Sequence, residues 1–210
     1  MLLVALTGGI AAGKSAVAQI FEQLGCYIHE SDNLVHQLIL PEKPAWKAIV
    51  DHFGPGILNP DKTINRSILG SIVFDDPEER RYLDDLLHPL VMKKKKDVVR
   101  RIRNQGWYKI FVSVAALTIE AGFAYYFDKI VVVYCDKKTQ LKRLMERDNI
   151  TCEEALNKIR SQMRPEEKLK AADYIIDTSG TLQQTVERAE QVFRNLMVDY
   201  ELKSISKVNS

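Results

Sequence analysis

The densest chemistry in the chain stands near its start. Gly8-Gly9-Ile10-Ala11-Ala12-Gly13-Lys14-Ser15 fits G-x-x-x-x-G-K-[ST] at every fixed position. Glycine lets such a backbone turn with its N–H groups pointing inward, which makes a cup for phosphate oxygens. A helix beginning at the end of the cup adds a favourable partial positive charge. The Lys14 ammonium then reaches the β and γ phosphates of a nucleotide, and the Ser15 hydroxyl can ligate Mg²⁺. Gly9, Ala11, Ala12, Gly13, Lys14, Ser15 and Ala16 are therefore the expected nucleotide-binding residues, with Lys14 also catalytic and Ser15 the expected metal ligand. A glycine-rich turn with a chance Lys-Ser has the same letters. The apolar run before it and the helical pattern after it favour the phosphate reading.

A second chemical cluster is Glu30-Ser31-Asp32. It follows a short apolar run, so it belongs at the carboxyl edge of a sheet, where open α/β sheets bind ligands. A carboxylate there can accept a proton from an attacking hydroxyl, or hold Mg²⁺ through water. The plainer reading of Asp32 is a cap on the next helix and nothing more; the site reading is preferred. Two arginine pairs come later. Arg143 and Arg147 lie four apart on one helical face, and Arg160 and Arg164 repeat that spacing on a helix opened by the capping box Thr151-x-x-Glu154. Closing such helices would bring guanidinium groups to a transferring phosphoryl and exclude water. The plainer reading is a solvated basic face; the functional one is preferred for Arg143 and the solvated one for Arg164.

These residues need elements to hold them. Short runs rich in Val, Ile and Leu at about 2–6, 26–29, 109–115, 129–135 and 174–177 read as strands, and helical periodicity separates them. Strands apolar on both faces and alternating with helices argue for a parallel sheet of about five strands, covered on both sides. The helix-only block from 32 to about 106 is too long for a simple crossover and is expected as an inserted lobe. A smaller helical insertion is expected at about 137–171 as a lid, a core at about 1–31, 107–136 and 172–202, and a frayed tail at 203–210. The fold class is α/β, a single P-loop kinase-like domain over 1–202.

Composition narrows the function classes. In 210 residues, 30 Lys and Arg against 28 Asp and Glu give a net charge of +2. That is too mild for nucleic acid as the main partner. The run Lys93-Lys94-Lys95-Lys96 has no interleaved aromatics and reads as a solvated helix face. Cys26, Cys135 and Cys152 are odd in number and form no C-x-x-C, which argues against a disulfide framework or zinc ribbon and for a reducing, cytoplasmic setting. No apolar run approaches the roughly 18 residues that span a bilayer, and no signal segment is expected. Among nucleotide-binding classes, a GTPase needs DxxG and then NKxD. Asp177-Thr178-Ser179-Gly180 fits the first, but Asn157-Lys158-Ile159-Arg160 fails the second and precedes it. A transport-type ATPase needs a strand ending Asp-Glu, and the run to Asp136 continues into lysines. A small kinase remains.

In detail the chain resembles the dephospho-CoA kinase family. The resemblance is carried by Leu6-Thr7-Gly8-Gly9-Ile10 and Gly13-Lys14-Ser15, then Asp32, Phe53-Gly54, Ile57-Leu58, Asn65-Arg66, Phe74, Leu87-His88-Pro89-Leu90, Gln140-Leu141-x-Arg143-Leu144, Arg147-Asp148, Gln162 and Ala172-Asp173-Tyr174-Ile175-Ile176. These run in order over nearly the whole chain. The resemblance implies ATP-dependent phosphorylation of the ribose 3′-hydroxyl of dephospho-CoA, the last step of coenzyme A synthesis, with ATP and Mg²⁺ required. It implies Asp32 as general base, Lys14 and Arg143 as catalytic cations, and Asp32, Arg66 and His88 as acceptor contacts. A histidine at a helix end beside Pro89 is the bland alternative for His88. The chain departs from the family pattern in three places. The usual Gly-Ser inside the loop is Ala11-Ala12, which is tolerable where φ is negative. The usual Asp-x-Pro of the third strand is Val114-Ala115-Ala116, and the usual Asn after the last strand is Thr178. A kinase for another small hydroxyl or nucleotide acceptor, or an ATP-binding regulator without catalysis, is the competing reading that Val114 motivates.

Overall fold

The computed structural model describes residues 1–31 and 33–206. They divide into two compact units, residues 1–31 with 105–210 and residues 32–104. The first unit is built on five strands: β1 (Leu2–Gly8), β2 (Tyr27–Glu30), β3 (Ile110–Val114), β4 (Lys129–Tyr134) and β5 (Tyr174–Asp177). All neighbours pair in parallel in the order β2-β3-β1-β4-β5. Its helices are α1 (Lys14–Gln23), α6 (Lys137–Asp148), α7 (Cys152–Arg160), α8 (Pro165–Lys170) and α9 (Leu182–Ser206). The second unit carries α2 (Asn33–Leu38), α3 (Pro44–Phe53), α4 (Arg66–Asp75) and most of α5 (Pro77–Gln105).

The strands are apolar because the central one sees no water. Every residue of β1 is buried. On one sheet face Leu2, Val4 and Leu6 pack with Val17 and Phe21 of α1 and with Ala189, Val192 and Leu196 of α9. Chain order reverses on either side of β1. Its carboxyl end is therefore the switch point where an open parallel sheet leaves a crevice. The second unit has its own core, with Ile39, Ile49, Ile57, Ile64, Leu69 and Leu87 at its centre.

Several local expectations need correction. Helix α5 runs unbroken through Pro89, so His88 is mid-helix and not at a helix end. Lys95 does not share the solvated face of its neighbours. It falls on the stripe Leu87, Val91, Lys95, Val99 and Ile102, whose three- and four-residue spacing puts it on the buried side of α5. The expected tail is helical through Ser206, because Lys203 pairs with Asp128 and Ser204 donates to the Tyr200 carbonyl. Residues 207–210 lie outside the described residues.

Candidate active site

Strand β1 delivers the phosphate loop to the crevice. Gly8 has φ 148, and a Cβ there would stand 2.1 Å from the Val133 carbonyl oxygen, so the close approach of β4 admits only glycine. Gly13, at φ 92, is the N-cap of α1. Between them Ala11 adopts φ 55. The condition under which alanine is tolerated there, a negative φ, is therefore not met at Ala11: its methyl is carried in the left-handed region, at a cost of roughly 1–2 kcal/mol. The Lys14 ammonium donates to the carbonyls of Gly8 and Gly9, each at 3.0 Å. It is thus folded back over the loop it serves. Ser15 is exposed on the first turn of α1.

Four side chains, from α6, the turn after α7 and the residue following β5, brace this loop. Gln140, buried on α6, donates its amide to the Ile10 carbonyl at 2.8 Å. Gln162, in the turn after α7, accepts from the Ile10 N–H at 2.8 Å. Arg143 of α6 donates to the hydroxyl and carbonyl of Thr178, at 2.9 and 2.8 Å. The buried Thr178 hydroxyl in turn donates to the Ala12 carbonyl at 2.8 Å. The structure therefore brings Arg143 to the loop through a fork on Thr178 that fixes both partners. Arg147, on the same helix, is exposed and turned to Asp148 at 2.8 Å. The Arg147 and Lys158 hydrogen bonds hold the Asp148 carboxyl down at about 2.

Beside the loop lies a cavity of about 490 Å³, lined by Tyr134, Cys135, Gln140, Arg160, Gln162 and Arg164 among others. That volume lies in the range of small-ligand sites. Burial pushes the Cys135 thiol up, with the nearby Arg143 guanidinium opposing it. Asp136 caps α6 by accepting from the Thr139 N–H at 2.9 Å, and the Thr139 hydroxyl and N–H hold its carboxyl below the usual range.

The loop after β3 differs from the rest of the rim. Val114 is buried between Leu6 of β1 and Glu30 of β2, so this edge presents an apolar side chain where a carboxylate would serve a metal. Two residues on, the Ala116 carbonyl accepts from the Thr7 hydroxyl at 3.1 Å and from the Lys168 ammonium at 2.9 Å. Lys168, buried on α8, also stands 2.6 Å from Glu120. Ser31, the residue before Asp32, is buried. Its N–H reaches the Val114 carbonyl at 2.9 Å, and its hydroxyl meets that of Ser113 at 2.7 Å. Asp32 itself lies outside the described residues.

The structure thus gathers Gly9, Ala11, Ala12, Gly13, Lys14, Ser15, Ala16 and Arg143 in the first unit. The expected acceptor contacts Arg66 and His88 belong to the second. Arg66 is exposed on the first turn of α4, whose N-cap Asn65 accepts from the Ser67 and Ile68 N–H groups at 3.1 Å each. His88 faces Asp84 one turn away at 3.7 Å. Sequence reasoning did not find the bracing roles of Gln140, Gln162, Thr178 and Lys168. Gln140 and Gln162 stood out only as residues of the family resemblance and Thr178 as a departure from an expected asparagine, while Lys168 carried no signal.

Comparison with known proteins gives this architecture a family. The dephospho-CoA kinase family model matches residues 2–184. A protein named dephospho-CoA kinase from Halalkalibacterium halodurans is 44% identical over 184 residues, covering 88% of this chain and 91% of that one. Another of that name, from Geobacter metallireducens, is 45% identical over 185 residues, with 88% and 92% covered. The solved structure of a dephospho-CoA kinase from Campylobacter jejuni superimposes with a TM-score of 0.66 at 28% identity, covering 92% of this chain and 96% of that one. The match extends from the first strand into α9, and it spans both the phosphate loop and the helical unit, so this chain belongs to the dephospho-CoA kinase family.

Proposed function

We propose that the protein transfers the γ-phosphoryl group of ATP to the ribose 3′-hydroxyl of dephospho-CoA, giving coenzyme A. The observation that carries this reading is the braced phosphate loop at the sheet's switch point, with Lys14 folded over it, in a chain of this family. The loop's N–H groups and the positive end of α1 receive the phosphates. Lys14 exchanges two carbonyl partners for phosphate oxygens and neutralises charge as the phosphoryl transfers in line. Arg143 acts through Thr178 to hold the Ala12 peptide, and adds positive charge beside it.

Magnesium fits the donors only in part. Ser15 offers an exposed hydroxyl of the hard oxygen type the ion prefers, while Val114 offers nothing. We assign Ser15, with Asp32 through water, as its protein ligands; when bound, it supplies charge neutralisation at the phosphates. Ser31 is pinned to β3 by its N–H and hydroxyl, and we assign the next residue in sequence, Asp32, as the base that accepts the 3′-hydroxyl proton. Arg66 and His88 are proposed contacts for the acceptor's phosphates. Three unpaired cysteines suit a reducing, cytoplasmic setting.

A panel assay of ATP consumption tests the reading. Turnover is expected with dephospho-CoA and absent with nucleoside monophosphates. Asp32→Asn should lower kcat by about a hundredfold or more while ATP still binds. Near-native turnover in that variant would remove Asp32 as the base. Turnover with a nucleoside monophosphate and none with dephospho-CoA would support the second reading that Val114 motivates, a kinase for a different acceptor.

A further inference from the structure

The Ile10 peptide is held from both sides by glutamine amides, and the two are not equivalent. Gln140 donates to the carbonyl, a group that phosphate oxygens cannot use. Gln162 accepts from the N–H, the kind of group a phosphate loop turns toward its ligand. The place of Ile10 in the loop says which phosphate this is. The Lys14 ammonium, which serves the β and γ phosphates, sits 3.0 Å from the carbonyls of Gly8 and Gly9, the two residues just before Ile10. The far end of the loop, Gly13 to Ser15, opens α1 instead. The Ile10 N–H therefore lies at the γ end of the cradle, and the Gln162 side-chain oxygen fills its acceptor position.

A glutamine amide carries an acceptor and two donors on one rotor, and its last torsion has two broad, roughly equivalent wells. We propose that Gln162 is a positioning residue that tethers the α7–α8 turn to the γ end of the phosphate loop in both states of the reaction cycle. Without nucleotide its oxygen accepts from the Ile10 N–H. With ATP the γ-phosphoryl takes that N–H, and the amide turns to donate its own N–H to a phosphoryl oxygen. ADP leaves the first arrangement in place. The turn that carries Gln162 also carries Arg164, with Arg160 at the end of α7, and all three line the same cavity. The tether thus keeps two guanidinium groups beside the γ end of the loop in both states, already in place when there is a phosphoryl to transfer. The inference rests on the reading that the loop binds ATP.

The test is a pair of titrations, ATP and ADP, on the wild-type protein, Gln162→Glu and Gln162→Met. Glutamate keeps the acceptor for Ile10, loses the donor and faces the γ-phosphate with a negative charge. Methionine keeps the length and loses both hydrogen bonds. ATP affinity should fall about tenfold or more in the glutamate variant and several-fold in the methionine variant. ADP affinity should move by less than about twofold in the methionine variant, since ADP leaves that position unused, and should fall by much less than ATP affinity in the glutamate variant, whose charge lies farther from the β-phosphate. Equal loss for ATP and ADP, or no loss for either, overturns the proposal. A wild-type protein that binds neither nucleotide would instead overturn the ATP reading on which it rests.

Discussion

At the scale of single residues, Ala11 is a position in the phosphate loop where sequence and conformation disagree. Its φ of 55 is one that glycine adopts freely and alanine does not. Ala11→Gly relieves strain in the folded state, worth roughly 1–2 kcal/mol, and adds about 0.4–1 kcal/mol of chain entropy to the unfolded state. The net expectation is a gain of about 0 to 1.6 kcal/mol in urea unfolding. A β-branched residue there, Ala11→Val, should destabilise the protein. A loss of stability in Ala11→Gly would show that the methyl contributes packing that outweighs its strain. Lys14 and Ser15 were legible because the motif's letters are its mechanism: a flexible cation and a hydroxyl at the mouth of a helix. The bracing roles of Thr178, Gln140 and Gln162 were not, because an amide or hydroxyl bound to a backbone group 130 to 166 residues away leaves no local pattern of its own. Their function exists only after the chain has folded.

At the scale of elements, the five strands and the capping box of α7 were legible from short-range chemistry. The capping box forms with both reciprocal contacts, as Thr151 and Glu154 alone predict. What periodicity misjudged were charged residues on buried faces. Lys95 was assigned to solvent because of its three lysine neighbours. Lys168 sits in a Pro-Glu-Glu-Lys segment of ordinary exposed-helix composition, yet it is 1% exposed. A buried ammonium persists only with partners, and Lys168 has Glu120 and the Ala116 carbonyl. Those partners tie α8 to the loop after β3, whose Ala116 carbonyl is also held by Thr7 at the end of β1. Lys168→Met keeps the apolar stem and removes the charge, leaving Glu120 and one carbonyl short of a donor. The expected cost is about 3 kcal/mol in urea unfolding. The double change Lys168→Met with Glu120→Gln should recover part of it, since the second substitution removes the stranded charge. Additive losses would mean that the two residues do not act as a pair.

At the scale of the whole molecule, the near-neutral charge hid a local concentration of cations, because a net sum carries no positions. Lys14, Arg143, Arg160 and Arg164 all belong to the first unit, around the loop and its cavity. Two cores rather than one explain why the helix-only segment carries its own apolar residues: Ile49 and Ile57 are buried within the second unit. The cysteines make the cooperativity of the first unit measurable. Cys26 packs in the main core beside α1, Cys135 lies at the end of β4, and Cys152 is exposed at the start of α7. Burial pushes the Cys26 thiol up to about 12 and raises that of Cys135. Thiolate is the reactive form, so both should stay inert at pH 8 while the protein is folded. A disulfide-exchange reagent should therefore titrate one thiol quickly in native protein, at Cys152, and three in denaturant. The same shift sets a pH dependence. Below the unfolded Cys26 value of 9.0 both states keep the proton and this thiol contributes no slope. Between 9.0 and about 12 the unfolded chain releases its proton and the folded chain does not, so stability must fall as pH rises through that window. Cys26→Ala should flatten that alkaline slope and create a small cavity beside Phe21. Fast native labelling of Cys26 or Cys135 would show instead that the sheet and α1 open locally, without unfolding of the unit as a whole.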